Sequence, residues 1–141
     1  MKRFLFLILI VSFNISASDE GIQQWVYNTL ERAQANLDKG NIEAAEKIYY
    51  DYANDTWSSR SYDHFVFLRT YAYFLLSFDR NEEALRYLKQ ASLKRDMPPY
   101  DIFELHFTLG QVYYVTGDRE NAKKTLLKWV EIGEKLSLIH I

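Results

Sequence analysis

The side chains that could do metal or acid–base chemistry are scattered along this chain of 141 residues. The three histidines, His64, His106 and His140, form no His-x-x-x-His pair and have no carboxylate cluster at metal-ligand spacing. The chain has no cysteine, which excludes both a thiolate metal site and a disulfide framework. The residues therefore predict no catalytic site, no metal site and no cofactor.

Other reactive patterns also favour a protein without enzymatic activity. Serines are abundant between Asp55 and Ser61, but nothing there has the elbow pattern of a serine hydrolase. Gly40 and Gly117 follow no predicted strand, so we interpret them as turns between helices rather than phosphate-binding loops. With 17 basic and 19 acidic residues the net charge is -2, which argues against a nucleic-acid partner.

The N-terminus has the layout of a secretory signal peptide. Lys2 and Arg3 precede an apolar run at residues 4–13. A membrane span needs about 20 apolar residues, so an uncleaved anchor is the less favoured alternative. Small residues offer a cleavage point after Ala17 or Ser18. We expect residues 1–18 to be a leader, the only part to contact a membrane, and the mature protein to be periplasmic or secreted, in a Gram-negative bacterium.

Past the leader, apolar residues recur at three- and four-residue spacing and predict amphipathic helices, with no convincing strand. Short breaks at residues 40–41, 79–81 and 117–118 separate helical patterns and predict antiparallel hairpins. Asn41 and Asp118 are expected to cap the helices that follow them. Asp79 and Glu82 have the spacing of a capping box.

The three hairpins align as a repeat. Their turns end at Ala45, Ala84 and Ala122, which lie 39 and 38 residues apart. This pattern resembles the tetratricopeptide repeat, a helix–turn–helix unit of about 34 residues. The resemblance implies an all-α fold, an α-solenoid of three helix pairs. We expect a repeat domain at residues 19–135, with repeats at about 21–57, 62–97 and 100–135.

Each predicted hairpin also has a small residue in its first helix, at Ala33, Ala72 and Gly110, twelve residues before the closing alanine. Helices approach closely only where neither carries a bulky side chain. These positions are therefore expected to lie where the two helices of each hairpin meet.

The resemblance implies a non-enzymatic protein-interaction scaffold that binds a partner peptide or helix in the concave groove of the first helices. Residues 105–113 and 128–131 are further similar to exported tetratricopeptide proteins of TonB-type transport systems, which implies an accessory role there. By the resemblance, the partner-binding positions are Tyr27, Leu30, Gln34, Val66, Arg69, Tyr73, Glu104, Phe107, Gln111 and Tyr114.

The C-terminal residues carry a separate expectation. Residues 136–141 break the helical pattern and resemble a translated sequencing adapter, so we interpret them as a non-native tail. No polar capping element precedes them, although solenoids normally end with one. This favours a fragment of a longer protein, prone to self-association at its uncapped end. The alternative function is therefore the N-terminal repeat segment of a larger exported enzyme or envelope-assembly factor.

Overall fold

The computed structural model describes residues 21–55 and 60–137 of the chain. Outside this described part lie the expected leader at residues 1–18 and the last four residues of the expected tail, which include His140. Within it, six α-helices form and no strand does, which confirms the all-α fold class. No helix of the described part is long and apolar enough to cross a membrane.

The six helices follow one another as three pairs. Neighbouring helices pack against each other in chain order, which gives a solenoid-like arrangement. Their bounds are α1 Gln24–Asp38, α2 Ile42–Ala53, α3 Ser61–Ser77, α4 Asn81–Ser92, α5 Pro99–Val115 and α6 Arg119–Lys135.

The turn inside each pair contains one residue with left-handed backbone. These residues are Gly40 at φ 79°, Asp79 at φ 57° and Gly117 at φ 89°. Glycine adopts this conformation without a steric penalty, and a short polar residue such as aspartate tolerates it best among the others. Asp79 therefore ends a helix in the way that the two glycines do, although its residue type differs.

The caps agree with the sequence at one hairpin only. Asp118 Oδ1 accepts a hydrogen bond from the Asn121 backbone N–H at 3.1 Å, which confirms its predicted capping role. Asn41 precedes α2 but makes no side-chain cap bond. The capping box at Asp79 is wrong, because α4 begins at Asn81 and Asp79 forms the preceding left-handed turn.

The core is centred on α3. Of its 17 residues 11 are buried, against 2 of 17 in α6, so α3 is covered on several sides while α6 lies at one end of the stack. Aromatic rings fill the space between the first two pairs. Phe67 stacks on Tyr52 with ring centroids 4.8 Å apart, and Phe74 lies 5.4 Å from Tyr49.

The small positions of the three first helices are all buried. Ala33, Ala72 and Ala84 are fully buried. At Gly110 an added Cβ would lie 2.6 Å from Leu126 Cδ2 and 2.7 Å from its Cγ. The predicted close approach is therefore present between α5 and α6, and the neighbour that requires glycine there is Leu126, one helical turn beyond Ala122.

Replacing Gly110 by alanine tests this close approach. The added methyl group displaces Leu126, and we expect Gly110→Ala to lower the free energy of unfolding by about 1 to 2 kcal/mol. This loss exceeds the gain in helix propensity, which is about 1 kcal/mol or less. Urea denaturation of the full chain measures the difference.

A double-mutant cycle provides the control. Leu126→Ala should itself destabilise the chain, but in its presence Gly110→Ala should cost nothing or stabilise, because the clash has been removed. Additive effects of the two substitutions would contradict the contact.

Candidate functional site

A polar cluster joins the first helices of the second and third pairs. Arg69 Nη1 of α3 lies 2.9 Å from Asp101 Oδ1 of α5, and the Tyr62 hydroxyl donates to Asp101 Oδ2 at 3.0 Å. The side chains of Arg69 and Asp101 are only 8% and 16% exposed, so both charges are largely removed from water. Because such charges are tolerated only when they are paired, Arg69 and Asp101 each depend on a partner from the other helix.

Two of the residues expected in the groove are committed to this packing. Arg69 is 6% exposed and also lies over the ring of Phe65, 5.2 Å from its centroid. Val66 is 1% exposed. Both side chains are nearly inaccessible in this structure, and the expectation that they contact a partner stays a prediction.

Tyr73 also contributes to the contact between α3 and α5. It is partly buried, and Thr108 and Glu104 of α5 lie close enough to act on its phenol. Burial raises the pKa of its phenol, with the nearby Glu104 acting in the same direction. Tyr73 is therefore only partly accessible to a ligand.

The groove positions of α1 are more accessible. Tyr27 and Gln34 are exposed, and Leu30 is partly buried against the core. The nearby Glu31 carboxylate raises the pKa of the Tyr27 phenol. Gln34 Nε2 donates a hydrogen bond to Asp38 Oδ1 at 2.9 Å. These side chains present a mixed polar and aromatic surface.

The groove positions of α5 belong to a larger aromatic surface. Phe107 is 39% and Tyr114 56% exposed, whereas Glu104 and Gln111 are partly buried. Rings of both helices of the third pair adjoin them. We call this surface the aromatic face, and its members are Tyr100, Phe103, Phe107 and Tyr114 of α5 and Trp129 of α6.

Trp129 organises the aromatic face. Its ring lies 5.4 Å from that of Phe103 and 4.9 Å from that of Phe107. Within the part of the chain that the structure describes, no hydrogen-bond partner reaches its buried Nε1. The expected site does not include Tyr100, Phe103 or Trp129. The 38-residue offset between the second and third repeats nevertheless aligns Tyr100 and Phe103 with residues of α3 that pack in the core.

The two described histidines contact the backbone. His64 Nε2 donates to the Ala53 carbonyl at 2.9 Å, and His106 Nδ1 donates to the Ile102 carbonyl at 2.8 Å. Among residues 21–55 and 60–137, no group of three histidine or carboxylate side chains is placed to hold a metal ion.

Comparison with known proteins adds no assignment. No protein-family model matches the chain, and no curated protein matches it. The fold and the site define an all-α protein of stacked helix pairs, compatible with a tetratricopeptide-like repeat fold, in which an aromatic face ends the described stack.

The Tyr62–Asp101 contact generates a prediction for alkaline pH. Burial, followed by the Asp101 carboxylate, raises the pKa of Tyr62 to about 12, whereas an unfolded tyrosine titrates near 10. The unfolded chain therefore releases this proton first. Stability from Tyr62 is complete below pH 10 and should be lost as the pH rises from about 10 to 12. Urea denaturation across this range should show a fall that is shallower in Tyr62→Phe.

Tyr50→Phe, which removes one phenol from a half-exposed side chain of α2, provides the matched control. A Tyr62→Phe slope equal to that of the parent would contradict the buried Tyr62–Asp101 contact.

Proposed function

We propose that this chain is a non-enzymatic protein-interaction scaffold that binds a partner peptide or helix along its first helices. The observation that carries the proposal is the exposed aromatic surface of α5, where Phe107 and Tyr114 lie on one side of the helix. Aromatic side chains supply large contact area at low entropic cost, and they dominate the binding energy of many protein interfaces.

The burial pattern indicates how a partner would lie. Tyr27 and Gln34 of α1 are exposed at one end of the first-helix row, and Phe107 and Tyr114 of α5 at the other. Between these two ends, Tyr73 is the predicted groove residue of α3 that stays partly exposed. A bound segment would therefore make its principal contacts at the two ends of the row, with Glu104 and Gln111 as polar contacts.

The compartment and the family complete the proposal. The basic and apolar N-terminal segment favours export, and the absence of cysteine suits a periplasmic protein. The aligned hairpins favour a tetratricopeptide protein, and the likeness at residues 105–113 favours an accessory of a TonB-type transport system. In this role the chain would connect transport components rather than act on a small molecule.

Capture of a partner from a periplasmic extract tests the scaffold. The immobilised full chain should retain a protein whose capture falls at least several-fold in Tyr27→Ala and in Phe107→Ala, because each substitution removes an aromatic contact. Quantitative mass spectrometry of the eluates measures the change. Tyr73 is a poorer probe than Tyr27, since its truncation also disturbs the packing of α5.

Leu93→Ala is the matched control. Leu93 follows α4, away from the first helices, and is 81% exposed, so its truncation should leave capture unchanged. If both aromatic variants retain the same proteins in the same amounts as the parent chain, the first-helix row is not the binding surface.

A further inference from the structure

The second pair shows which side of the first helices stays open inside the stack. α3 packs against a neighbouring pair on each side, and 11 of its 17 residues are buried. Beyond its first four residues, those that are not buried are Thr70, Tyr73 and Ser77. Their spacing of i, i+3 and i+7 places them on one side of the helix. This side stays accessible in the middle of the described stack, so its exposure does not depend on either end of the stack.

The repeat offsets extend this open side to the other two pairs. An offset of 39 residues relates α1 to α3, and an offset of 38 residues relates α3 to α5. The equivalent residues are Glu31, Gln34 and Asp38 in α1, and Thr108, Gln111 and Val115 in α5. Those of α1 are exposed, and those of α5 are partly buried. We call these three positions of each first helix the open stripe.

The open stripe is acidic. It carries the carboxylates of Glu31 and Asp38, and none of its positions holds a lysine or an arginine. Glu104 lies one turn before Thr108 on the same side of α5 and adds a third carboxylate. Within residues 21–55 and 60–137, none of these three carboxylates forms an ion pair.

The lysines and arginines lie mainly on the other helices. The described residues hold all 17 lysines and arginines of the chain except Lys2 and Arg3. Of those described, Arg32 and Arg69 are the two on first helices. Arg69 is buried and paired with Asp101, and Arg32 lies about 100° around α1 from its neighbour in the stripe. Charge is therefore segregated in a chain that is nearly neutral as a whole.

A tyrosine lies beside a carboxylate at two places along this surface. On α1, Tyr27 is exposed one turn before Glu31, which is close enough to raise the pKa of the phenol. Between α3 and α5, Glu104 adds to the effect of burial in raising the pKa of Tyr73. The face of a tyrosine ring attracts a cation, and a neighbouring carboxylate strengthens that attraction. Each place therefore suits a lysine or arginine side chain.

We propose that the open stripe binds a basic segment of another protein, with lysine or arginine side chains against Glu31, Asp38 and Glu104. This inference rests on the scaffold function above and names the chemistry of its partner. Glu31 and Asp38 are seven residues apart, which is about 10 Å along α1. In a polyproline II segment, residues three apart share one side and lie about 9 Å from each other. A segment with a basic residue at every third position therefore matches the two carboxylates of α1.

The cations of this chain are a poor match for the open stripe of a second copy. α6 carries more of them than any other described helix, but Lys124, Lys128 and Lys135 are each paired with a glutamate of the same helix. Outside the described residues the chain has only Lys2 and Arg3, which are adjacent in sequence and lie in the expected leader. Pairing and spacing therefore favour a segment of another protein.

Fluorescence anisotropy with a labelled peptide tests the proposal. The probe is a twelve-residue peptide of four Arg-Pro-Ala repeats, and its control has glutamate in place of each arginine. The full chain should bind the basic peptide and not the acidic one, and the binding should weaken as salt is raised. Glu31→Gln combined with Asp38→Asn should weaken binding roughly fivefold, because two exposed ion pairs with the peptide are lost.

Glu82→Gln combined with Glu134→Gln is the matched control. Both glutamates are exposed on second helices, so this variant has the same net charge as the stripe variant but keeps the stripe intact. It should bind the basic peptide as the parent chain does. A charge reversal gives a readout that loss of folding cannot produce, since Glu31→Arg with Asp38→Arg should bind the acidic peptide.

Three results would overturn the inference: no binding of the basic peptide, equal weakening in the stripe and control variants, or no binding of the acidic peptide by the reversed chain. Basic-peptide binding that emerges only after Lys2→Gln and Arg3→Gln would also overturn it, by assigning the stripe to the N-terminus of the chain itself. A dimer in sedimentation velocity that the stripe variant dissolves would overturn it as well, by assigning the stripe to a second copy.

Periplasmic capture separates this inference from the scaffold function. A protein whose capture falls in Tyr27→Ala and Phe107→Ala but not in the stripe variant would keep the scaffold and reject the basic partner. Reduced capture in all three variants would support both. Peptide binding as expected, together with unchanged capture in the two aromatic variants, would retain the basic-segment site and reject the aromatic contacts of the scaffold.

Discussion

The largely buried ion pair between Arg69 and Asp101 is the charged contact that joins the first helices of the second and third pairs. An acid near the start of a first helix must be neutralised, because the next layer of the fold removes it from water. In α5 the neutralising charge comes from the preceding first helix, and in α3 it comes from Arg60, immediately before the same helix. The Arg69–Asp101 pair joins two repeats. The Arg60–Asp63 pair lies within one repeat, so the position of α1 that is equivalent to Arg69 can be the apolar Leu30.

The three pairs differ in how far they are covered, although their hairpins align. The middle pair is covered on both sides, so its first helix is buried around most of its circumference. The first pair ends the described stack with a mixed surface, in which Asn28 and Arg32 are exposed together with Tyr27. The third pair ends it with exposed rings around Trp129. The two ends of the described stack therefore differ in their polar residues, although both expose aromatic rings.

The sequence predicted what depends on spacing within one hairpin. Helical periodicity, the turn positions, the cap at Asp118 and the small residue at Gly110 are local properties, and the structure contains all of them. The burial of Val66 and Arg69 is not local, because helix periodicity shows which residues share a face but not how closely the next repeat covers that face. The capping prediction at Asp79 was wrong for a different reason. Aspartate suits both a helix cap and a left-handed turn, and only the backbone conformation distinguishes the two roles.

Hydroxyl-radical footprinting of the full chain in solution tests the central claim most directly, since the rate of side-chain oxidation follows solvent exposure. The account predicts rapid modification of Phe107 and Tyr114 and strong protection of Phe65 and Leu76, which occupy buried positions in the preceding pair. Comparable protection of Phe107 and Tyr114 would contradict it, because the aromatic face would then be covered within the chain or by a second copy and closed to a partner helix.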